Sequence, residues 1–324
     1  MEPVIPTTSL DQTVNAGKTI WVVFPLNIPI DIAILKGMEE AAAAAGMEVK
    51  AWDAVDPQTW SDGIRAAIQA DADAIFAAAL DPQLIDAALQ EAEDAGIPVI
   101  GSYGGDPDAP LPFGVDYQIG VNYVSEGKVI ADYVLANTGC EGTTVLFSTT
   151  IFPSAVLENE GIQAEFERLC PNDCELVYEQ VDFADLATTV PVLTQTVLRR
   201  TKDVNMVIAA FDIVALFVNQ GIEQEGLDVK VVSHDGDEVG LDAIRSGTSP
   251  QVATLSFPPG EYFGWVIVDQ LSRLMAGQEP DRDSAAFVGQ LIDASNVGAD
   301  NSIPEVFPNM VGFQDKYKAI WITE

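Results

Sequence analysis

The chain contains one histidine, which stands between a serine and an aspartate, so nucleophilic hydrolysis is the first chemistry to consider. Ser233, His234 and Asp235 end an apolar stretch that is typical of a β-strand. Adjacent strand residues point to opposite faces of a sheet, so the three side chains should not meet as a catalytic triad. The sequence also has no Walker loop, no G-x-G-x-x-G after its first strand and no H-E-x-x-H. We therefore predict that the protein is not an enzyme.

Acidic residues dominate the charge of the chain. There are 50 Asp and Glu against 15 Lys and Arg, which gives a formal net charge of −35. Such a surface repels a phosphate backbone, so nucleic acid is not an expected partner. The acids are scattered along the chain, as on solvated faces, and a store for calcium or another cation is the alternative. One histidine cannot complete a usual structural zinc site, so we predict no metal site.

Alternating strands and helices must position these residues. Residues 19–26 form an apolar run of strand length, and helical spacing follows until Gly46, where a left-handed C-cap belongs. Residues 48–52 and 73–80 are the next predicted strands, and Asp81 then stands where the N-cap of a helix belongs. Strands that alternate with helices pair in parallel and bind ligands at their carboxyl ends. The pattern predicts an α/β fold with doubly wound parallel sheets.

The second half of the chain continues this alternation. A chain of 324 residues is long enough for two domains, each with its own core. No run of 18 apolar residues occurs, so no membrane-spanning helix is predicted. The strands predicted in the second half cover residues 143–149, 174–181, 204–211, 228–235 and 251–257.

Several segments, in a fixed order, resemble the periplasmic sugar-binding proteins of ABC transporters, such as the ribose-binding proteins. They are PLNIPIDIAILKGMEEAAAAAGMEV at residues 25–49, DPQLIDAALQEAEDAGIPVIGSY at 81–103 and VVSHDGDEVGLDAIRSG at 231–247. The resemblance covers about residues 18–295 and includes the ligand domain of LacI-like repressors. Members of this family are non-enzymatic clamps that close on a small solute and present it to a permease.

The resemblance implies a type I periplasmic binding fold, in which two Rossmann-like lobes with doubly wound parallel sheets are joined by three hinge crossovers. It assigns residues 1–17 to a tether, 18–115 and 259–291 to the N-terminal lobe, and 116–258 and 292–324 to the C-terminal lobe and tail. It also implies a monomer that is periplasmic or extracellular and tethered to a membrane. No signal peptide is visible, so an exported protein would have lost its signal before this sequence begins.

Three polar residues match positions that bind or support the solute in this family. Asn27 matches the pattern of the first loop. Asp235 matches the aspartate of the G-F-D-G-type segment, whose carboxylate accepts hydrogen bonds from ligand hydroxyls. The alternative for Asp235 is a cap on the helix that follows. Asp212 matches the aspartate of the N-D-type segment, which caps the next helix and supports the pocket.

Other positions depart from the family pattern. Asp31 belongs to a pair of residues that stands where sugar binders commonly have two aromatic rings, and Phe211 replaces the polar amide of pentose binders. Tyr103 begins a pair that replaces an Asp-Arg pair, and Val156 falls near the site of a second arginine. Arginine's rigid fork of donors grips ring oxygens and hydroxyls. We therefore expect this pocket to bind an ordinary aldopentose less well.

Aromatic side chains stand at or just after the predicted strand ends, and we expect at least three of them in the ligand cleft. Rings in one cleft favour recognition of an apolar ligand face by shape, and nearby Asp31 and Asp235 would also suit a cation. For any single ring, the alternative is packing in the core or the hinge. The rings are those of Phe24, Tyr103, Phe152, Phe211 and Phe257.

The chain has three cysteines, and two of them flank a Pro-Asn-Asp turn. An oxidising exterior permits a disulfide between Cys170 and Cys174, which is the pairing we predict. Two alternatives remain open. All three cysteines could be thiols, or Cys140 could pair with one of the others, because the strand after it and the helix ending near Leu169 are neighbours in this fold.

We therefore expect the solute-binding protein of an ABC importer, with a small carbohydrate or polyol as its ligand, the membrane permease as its partner and no cofactor. A less polar or cationic ligand is the alternative. The ligand-sensing lobe of a signalling protein or of a LacI-like regulator is another. A regulator would need a helix-turn-helix module ahead of the clamp, and only 18 residues precede the first predicted strand.

Overall fold

The computed structural model describes residues 2–78, 81–102, 110–287 and 289–322. Continuous apolar runs form the central strands, because helices cover the faces of a parallel sheet. In chain order the strands are β1 (Leu10–Asp11), β2 (Thr19–Phe24), β3 (Glu48–Asp53), β4 (Ala74–Ala78), β5 (Val99–Ser102), β6 (Tyr117–Val121), β7 (Gly142–Ser148), β8 (Cys174–Gln180), β9 (Val204–Ala209), β10 (Lys230–Asp235), β11 (Gln251–Ser256), β12 (Ala286–Phe287), β13 (Gln290–Asp293) and β14 (Trp321–Ile322).

Helices alternate with most of these strands. They are α1 (Pro29–Ala44), α2 (Pro57–Gln69), α3 (Asp86–Asp94), α4 (Tyr123–Thr138), α5 (Pro153–Leu169), α6 (Leu186–Arg200), α7 (Asp212–Glu225), α8 (Glu238–Ser246), α9 (Gly260–Met275), α10 (Arg282–Ala285), α11 (Ile303–Val306) and α12 (Phe313–Ile320). Short 3-10 helices cover Gln12–Val14, Pro82–Ile85, Phe183–Asp185 and Pro308–Met310. Among the described residues, no helix is both long enough and apolar enough to cross a membrane.

The helix ends carry residues that the local geometry favours. Pro29 and Pro57 occupy the first turns of α1 and α2, where the amide hydrogen that proline lacks is not needed. The Asp56 side chain accepts a hydrogen bond of 2.8 Å from the backbone nitrogen of Thr59 and so caps α2. Gly226 ends α7 with a φ of 65°, a left-handed conformation in which glycine has no steric cost.

The described chain forms two compact units. The first consists of Met1–Val121, Pro258–Val288 and Phe307–Glu324, and the second of Asn122–Phe257 and Gly289–Val306. The chain therefore passes between the units after residues 121, 257, 288 and 306, which is four passages instead of the three that the family resemblance implies.

The first unit is built on a parallel sheet with the strand order β12-β6-β5-β4-β2-β3. Helices α2 and α3 bury Trp60, Ile64 and Leu89 against Val23 and Ile75 of this sheet. Helix α9 also packs against β4 and β5, and α1 packs on α9. The predicted alternation of strands and helices is therefore present, and the carboxyl ends of the parallel strands lie along one edge of the sheet.

The second unit repeats this arrangement with the strand order β13-β11-β10-β9-β7-β8. Its strands are parallel except for β13, which runs antiparallel to β11. Two core clusters cover its faces: one includes Val207 with Val197 and Val218 of α6 and α7, and the other includes Ile208 with Phe166 of α5. Because Val207 and Ile208 are neighbours in β9, they point to opposite faces, so helices cover both sides of the sheet.

All three cysteines lie in the second unit: Cys140 between α4 and β7, Cys170 at the end of α5 and Cys174 at the start of β8. Cys170 and Cys174 are joined by a disulfide, with their Cα atoms 5.9 Å apart. Cys140 is a free thiol, and its carbonyl oxygen lies 3.3 Å from the Cys170 sulfur. This pairing is one of the three arrangements that the sequence leaves open.

The two ends of the chain differ from the predicted boundaries. Leu10 is fully buried and β1 pairs with β14, so residues 10–17 are packed against the first unit and do not form an extended tether. The tail from Phe307 onward belongs to the first unit and not to the C-terminal lobe. The physical reason is aromatic burial, because the Trp321 ring stacks on Trp265 of α9 at 5.2 Å.

The inner boundaries also shift by a few residues. The first unit extends to Val121 instead of residue 115, because β6 pairs with β5. Residues 289–291 belong to the second unit, although the sequence assigned them to the N-terminal lobe, because β13 pairs with β11. In both places the backbone hydrogen bonds between paired strands determine to which unit the segment belongs.

Candidate ligand-binding site

Strand β10 ends in a strained turn that presents Asp235. This residue has a φ of 101°, a conformation that is uncommon for any residue except glycine. Gly236 follows with a φ of 75°, and a Cβ atom at this position would fall 1.9 Å from the hydroxyl oxygen of Ser256. The Asp235 carbonyl accepts a 3.1 Å hydrogen bond from Phe257, which ties the turn to the end of β11. Strain of this kind persists only where the surrounding structure enforces it, and it is often associated with function.

Asp212 connects the elements behind this turn. Its carboxylate accepts hydrogen bonds from the Ser233 hydroxyl, from Gln251 at 2.9 Å and from the backbone nitrogen of Asp237 at 2.6 Å. Burial raises the pKa of Asp212 to about 7, and the negative charge of Asp235 adds to this rise. Asp212 is the first residue of α7 and not its N-cap, which is Phe211. Its side chain therefore braces β10, β11 and the start of α8.

His234 lies in a buried cluster of carboxylates. Its Nε2 is 2.8 Å from Glu126 Oε2, and its Nδ1 is 3.2 Å from Asp235 Oδ1 and 3.6 Å from Glu158 Oε2. Each of these four residues is at most 6% exposed. The imidazole and the Phe257 ring pack in a T-shaped arrangement, with 4.5 Å between ring centroids.

The side chains around Asp235 correct one expectation from the sequence. Ser233 and His234 point to opposite faces, as expected, since Ser233 bonds to Asp212 whereas His234 faces Glu126. His234 and Asp235 were expected to diverge in the same way, yet their side chains meet. The positive φ of Asp235 breaks the alternation of the strand and turns its carboxylate back towards the imidazole. Within the described part of the chain, the Ser233 hydroxyl has no contact with the imidazole. Such a contact would be needed to make Ser233 a nucleophile.

Burial and the neighbouring charges shift the pKa values of Glu158 and His234 in this cluster. Burial raises the pKa of Glu158 to about 8, the positive charge of His234 opposes this rise, and Glu126 and Asp235 add to it. Burial disfavours the charged form of His234, but the carboxylates of Glu158, Asp235 and Glu126 outweigh that effect and hold its pKa well above the usual value. Both groups therefore keep a proton at pH 7.

Close packing of α4 on α5 brings the two glutamates together. A Cβ atom on Gly127 would fall 2.1 Å from the Glu158 carbonyl oxygen, and one on Gly161 would fall 2.1 Å from the Val124 carbonyl oxygen. Only glycine permits this approach of the two backbones. The sequence analysis did not identify Glu126 or Glu158. The available signal was a glutamate next to Gly127 and another three residues before Gly161, each on the buried face of its helix.

Three half-buried phenylalanine rings form a second feature of the same unit. Phe152 and Phe211 directly precede α5 and α7, after β7 and β9. They meet each other edge to face at 5.8 Å, and both meet Phe183 at 5.1 Å and 5.7 Å. Two of the predicted aromatic residues are therefore together, and Phe183 joins them without having been predicted. Phe257 lies apart from this trio, against His234 and Tyr123.

The first unit carries the remaining predicted site residues. Asn27 is exposed just before α1, and Asp31 is buried in the first turn of that helix. Phe24 is fully buried and packs on Phe76 at 6.0 Å, so it is a core residue of this unit. Tyr103 lies outside the described residues. Among the described residues, no group of His, Cys, Asp and Glu side chains is arranged to hold a metal ion.

Comparison with known proteins identifies the family. The sequence model of the family described as periplasmic binding protein domain matches residues 21–279. The chain belongs to this family. One relative is the ribose import binding protein of Bacillus subtilis (strain 168), which is 24% identical over 222 residues, covering 68% of this chain and 70% of the relative.

Solved structures share the fold at low sequence identity. A solute-binding protein of an ABC transporter from Agrobacterium vitis, with bound α-D-tagatopyranose, is 23% identical with a TM-score of 0.76, over 87% of this chain and 96% of that one. Another from Agrobacterium vitis, with bound allitol, is 19% identical with a TM-score of 0.76, over 87% and 97%. An ABC sugar transporter subunit from Rhodobacter sphaeroides 2.4.1 is 21% identical with a TM-score of 0.74, over 87% and 99%. The predicted type I periplasmic binding fold with two parallel-sheet lobes is confirmed.

Proposed function

We propose that this chain is the extracytoplasmic solute-binding protein of an ABC importer and that it binds a small carbohydrate or polyol. The observation that carries this proposal is the Asp235 carboxylate, held on a strained turn at the carboxyl end of a parallel strand. Ligands of such sheets bind beyond the strand ends, and a carboxylate accepts hydrogen bonds from two adjacent hydroxyls. Family membership supports the same class of function, as do the allitol and tagatopyranose bound in the similar proteins.

The contacts that we propose are the site residues predicted from the sequence. Asn27, Asp31 and Tyr103 would contribute from the first unit. From the second unit, Asp235 would accept hydrogen bonds while Asp212 supports it from behind. The rings of Phe152 and Phe211 would cover an apolar face of the solute, as Phe257 would beside His234. Closure of the two lobes on the solute stays a prediction from the family resemblance.

The proposal includes the setting in which the protein works. It would act without catalysing a reaction, as a monomer that delivers its solute to the permease of the importer in the membrane. It would work in the periplasm or outside the cell, tethered to the membrane. Its surface charge suits this role, because a net charge of −35 keeps copies of the protein apart.

A cationic or less polar solute is the second candidate. The trio of Phe152, Phe183 and Phe211 favours it, because three aromatic rings in contact form an apolar surface on which an ammonium group or an aliphatic face can rest. A nearby carboxylate such as Asp235 would then serve as the counter-ion.

A thermal-shift screen tests both candidates. The full chain is heated with ribose, glucose, tagatose, allitol, purines and small amines. A solute present at 100 times its Kd stabilises the folded state by about 2.7 kcal/mol, which corresponds to a rise in Tm of roughly 5–10 °C. We expect a polyol or a monosaccharide to give this rise. A rise with amines alone would favour the second candidate and contradict the first.

A further inference from the structure

His234 is placed to link two carboxylates on opposite sides of its ring. Its Nε2 forms a 2.8 Å contact with Glu126 Oε2, and its Nδ1 lies 3.2 Å from Asp235 Oδ1. Glu126 is 108 residues away in the chain, so tertiary structure alone creates the contact. A neutral imidazole has one N–H donor and one lone pair, whereas the imidazolium has two donors and a positive charge. Only the imidazolium suits carboxylates at both nitrogens.

Several charged or titratable groups face the imidazole from the elements packed around it. The closest is Glu126 of α4, and Glu158 of α5 lies 3.6 Å from Nδ1. Among the described residues, Nδ1 has no well-aligned hydrogen bond, so its attraction to Asp235 is mainly that of opposite charges, and Glu158 adds to this attraction only after it has lost its own proton. The groups that face the ring or its partners are Tyr123 and Glu126 of α4, Glu158 of α5, Asp212 of α7 and Asp235 of β10.

We propose that His234 and Glu126 are positioning residues for solute binding, because the imidazolium held by Glu126 fixes the Asp235 carboxylate in the orientation that receives the solute. This inference rests on the proposed function. Loss of one proton from the ring would leave a nitrogen lone pair facing a carboxylate, and the two would repel each other. Asp235 would then lose its support on that side, and the affinity for solute would fall.

The proton is held firmly in the ordinary range of pH. The surrounding carboxylates raise the pKa of His234 well above its usual value, against the opposing effect of burial. Glu158, whose pKa is about 8, gains a negative charge above that pH and strengthens the hold on the ring proton. Solute affinity should therefore be steady near neutral pH and weaken only when the ring itself loses its proton.

One titration observes the ring directly. The chain has a single histidine, so every ring signal of 15N-histidine-labelled protein belongs to His234. The ring is titrated by NMR from pH 6 to pH 11, and allitol affinity is measured by calorimetry at the same pH values. Wild type is compared with Glu126→Gln. The matched control is Glu165→Gln, a glutamate on the same helix as Glu158 that pairs with Arg168 instead of the histidine.

We expect a doubly protonated ring at pH 7 in wild type. Glu126→Gln removes a charge in direct contact with the ring and should lower the NMR midpoint by at least about one pH unit. Allitol affinity should fall about tenfold across the NMR midpoint of each protein, and Glu165→Gln should match wild type. If Glu126 were merely structural, its replacement would still lower the NMR midpoint and change the stability, but allitol affinity would not change at that midpoint.

Three results would overturn the inference: a neutral ring at pH 7, a Glu126→Gln midpoint equal to that of wild type, or allitol binding that stays constant while the ring loses its proton. The last result would leave the proposed function standing. If wild type binds neither allitol nor any other sugar or polyol of the thermal-shift panel while the ring titrates as expected, the proposed function fails, and the role of His234 in binding fails with it.

Discussion

Replacing Glu158 with glutamine should make the free energy of unfolding less sensitive to a rise in pH between pH 5 and pH 8. The Glu158 side chain is 3% exposed, and burial raises its pKa from the usual 4.5 to about 8. The folded state therefore holds a proton on this group between pH 4.5 and 8, and the unfolded state does not. Stability that is present at low pH is lost as the pH rises through this range.

The magnitude follows from the width of that range. Each pH unit costs about 1.4 kcal/mol for one group that is protonated only in the folded state. Between pH 5 and pH 8 the wild-type protein should lose up to about 4 kcal/mol through Glu158, and Glu158→Gln should not lose it. The free energy of unfolding of the variant, relative to wild type, should therefore rise with pH at about 1 kcal/mol per unit or slightly more.

Urea unfolding at pH 5, 6, 7 and 8 measures this difference. The tryptophans are residues 21, 52, 60, 265 and 321, all in the first unit, so their fluorescence follows that unit. Circular dichroism follows both units. Glu158 lies in the second unit, so the effect of Glu158→Gln should appear in the unfolding of that unit, which circular dichroism detects and tryptophan fluorescence does not. Glu165→Gln is the control. Hydrogen bonding to Arg168 lowers the pKa of Glu165, so its contribution is complete above its usual pKa and constant from pH 5 to pH 8.

A constant free-energy difference between Glu158→Gln and wild type across these four pH values would refute the reasoning. It would mean that Glu158 is ionised in the folded protein at pH 5, and that protonated or charged neighbours stabilise its buried carboxylate.

Three further outcomes are expected. Asp235→Asn, which tolerates the positive φ, should weaken sugar or polyol binding by about 10- to 100-fold in calorimetry and leave the Tm within a few degrees of wild type, because a charged acceptor is lost. Phe211→Asn should improve ribose or glucose binding by about tenfold, because an amide supplies partners for hydroxyls that a phenyl ring leaves unpaired. Trp321→Ala should destabilise the first unit by about 3–5 kcal/mol in urea unfolding followed by tryptophan fluorescence, since the ring packs on Trp265 and donates a 2.7 Å hydrogen bond to Asp269.

For each of these expected outcomes, a specific result would contradict the physical reason given. Wild-type affinity in Asp235→Asn would show that Asp235 only shapes the turn. Submicromolar ribose binding by wild type, unchanged in Phe211→Asn, would contradict an apolar wall at Phe211. Ile322→Ala, beside Trp321 but 49% exposed, should leave stability nearly unchanged, and an equal loss in both variants would contradict the role of the buried ring.

Local patterns were enough to predict the framework of the fold. The apolar runs predicted as strands at residues 19–26 and 204–211 contain β2 (Thr19–Phe24) and β9 (Val204–Ala209), because such a run is stable when it is buried inside a parallel sheet. The same order placed Asp235 at the end of β10 and Asp212 at the start of α7, since the carboxyl ends of parallel strands share one edge. These inferences use only neighbours in the chain.

Long-range packing decided the rest. Glu126 and Glu158 read as ordinary acidic residues on two helices, and they reach His234 only because Gly127 and Gly161 let those helices touch. The tail likewise belongs to the first unit because the Trp321 ring finds Trp265. The energies of buried charge and of ring packing depend on which distant atoms replace water around a group. No spacing along the chain contains that information, so it exists only in the folded protein.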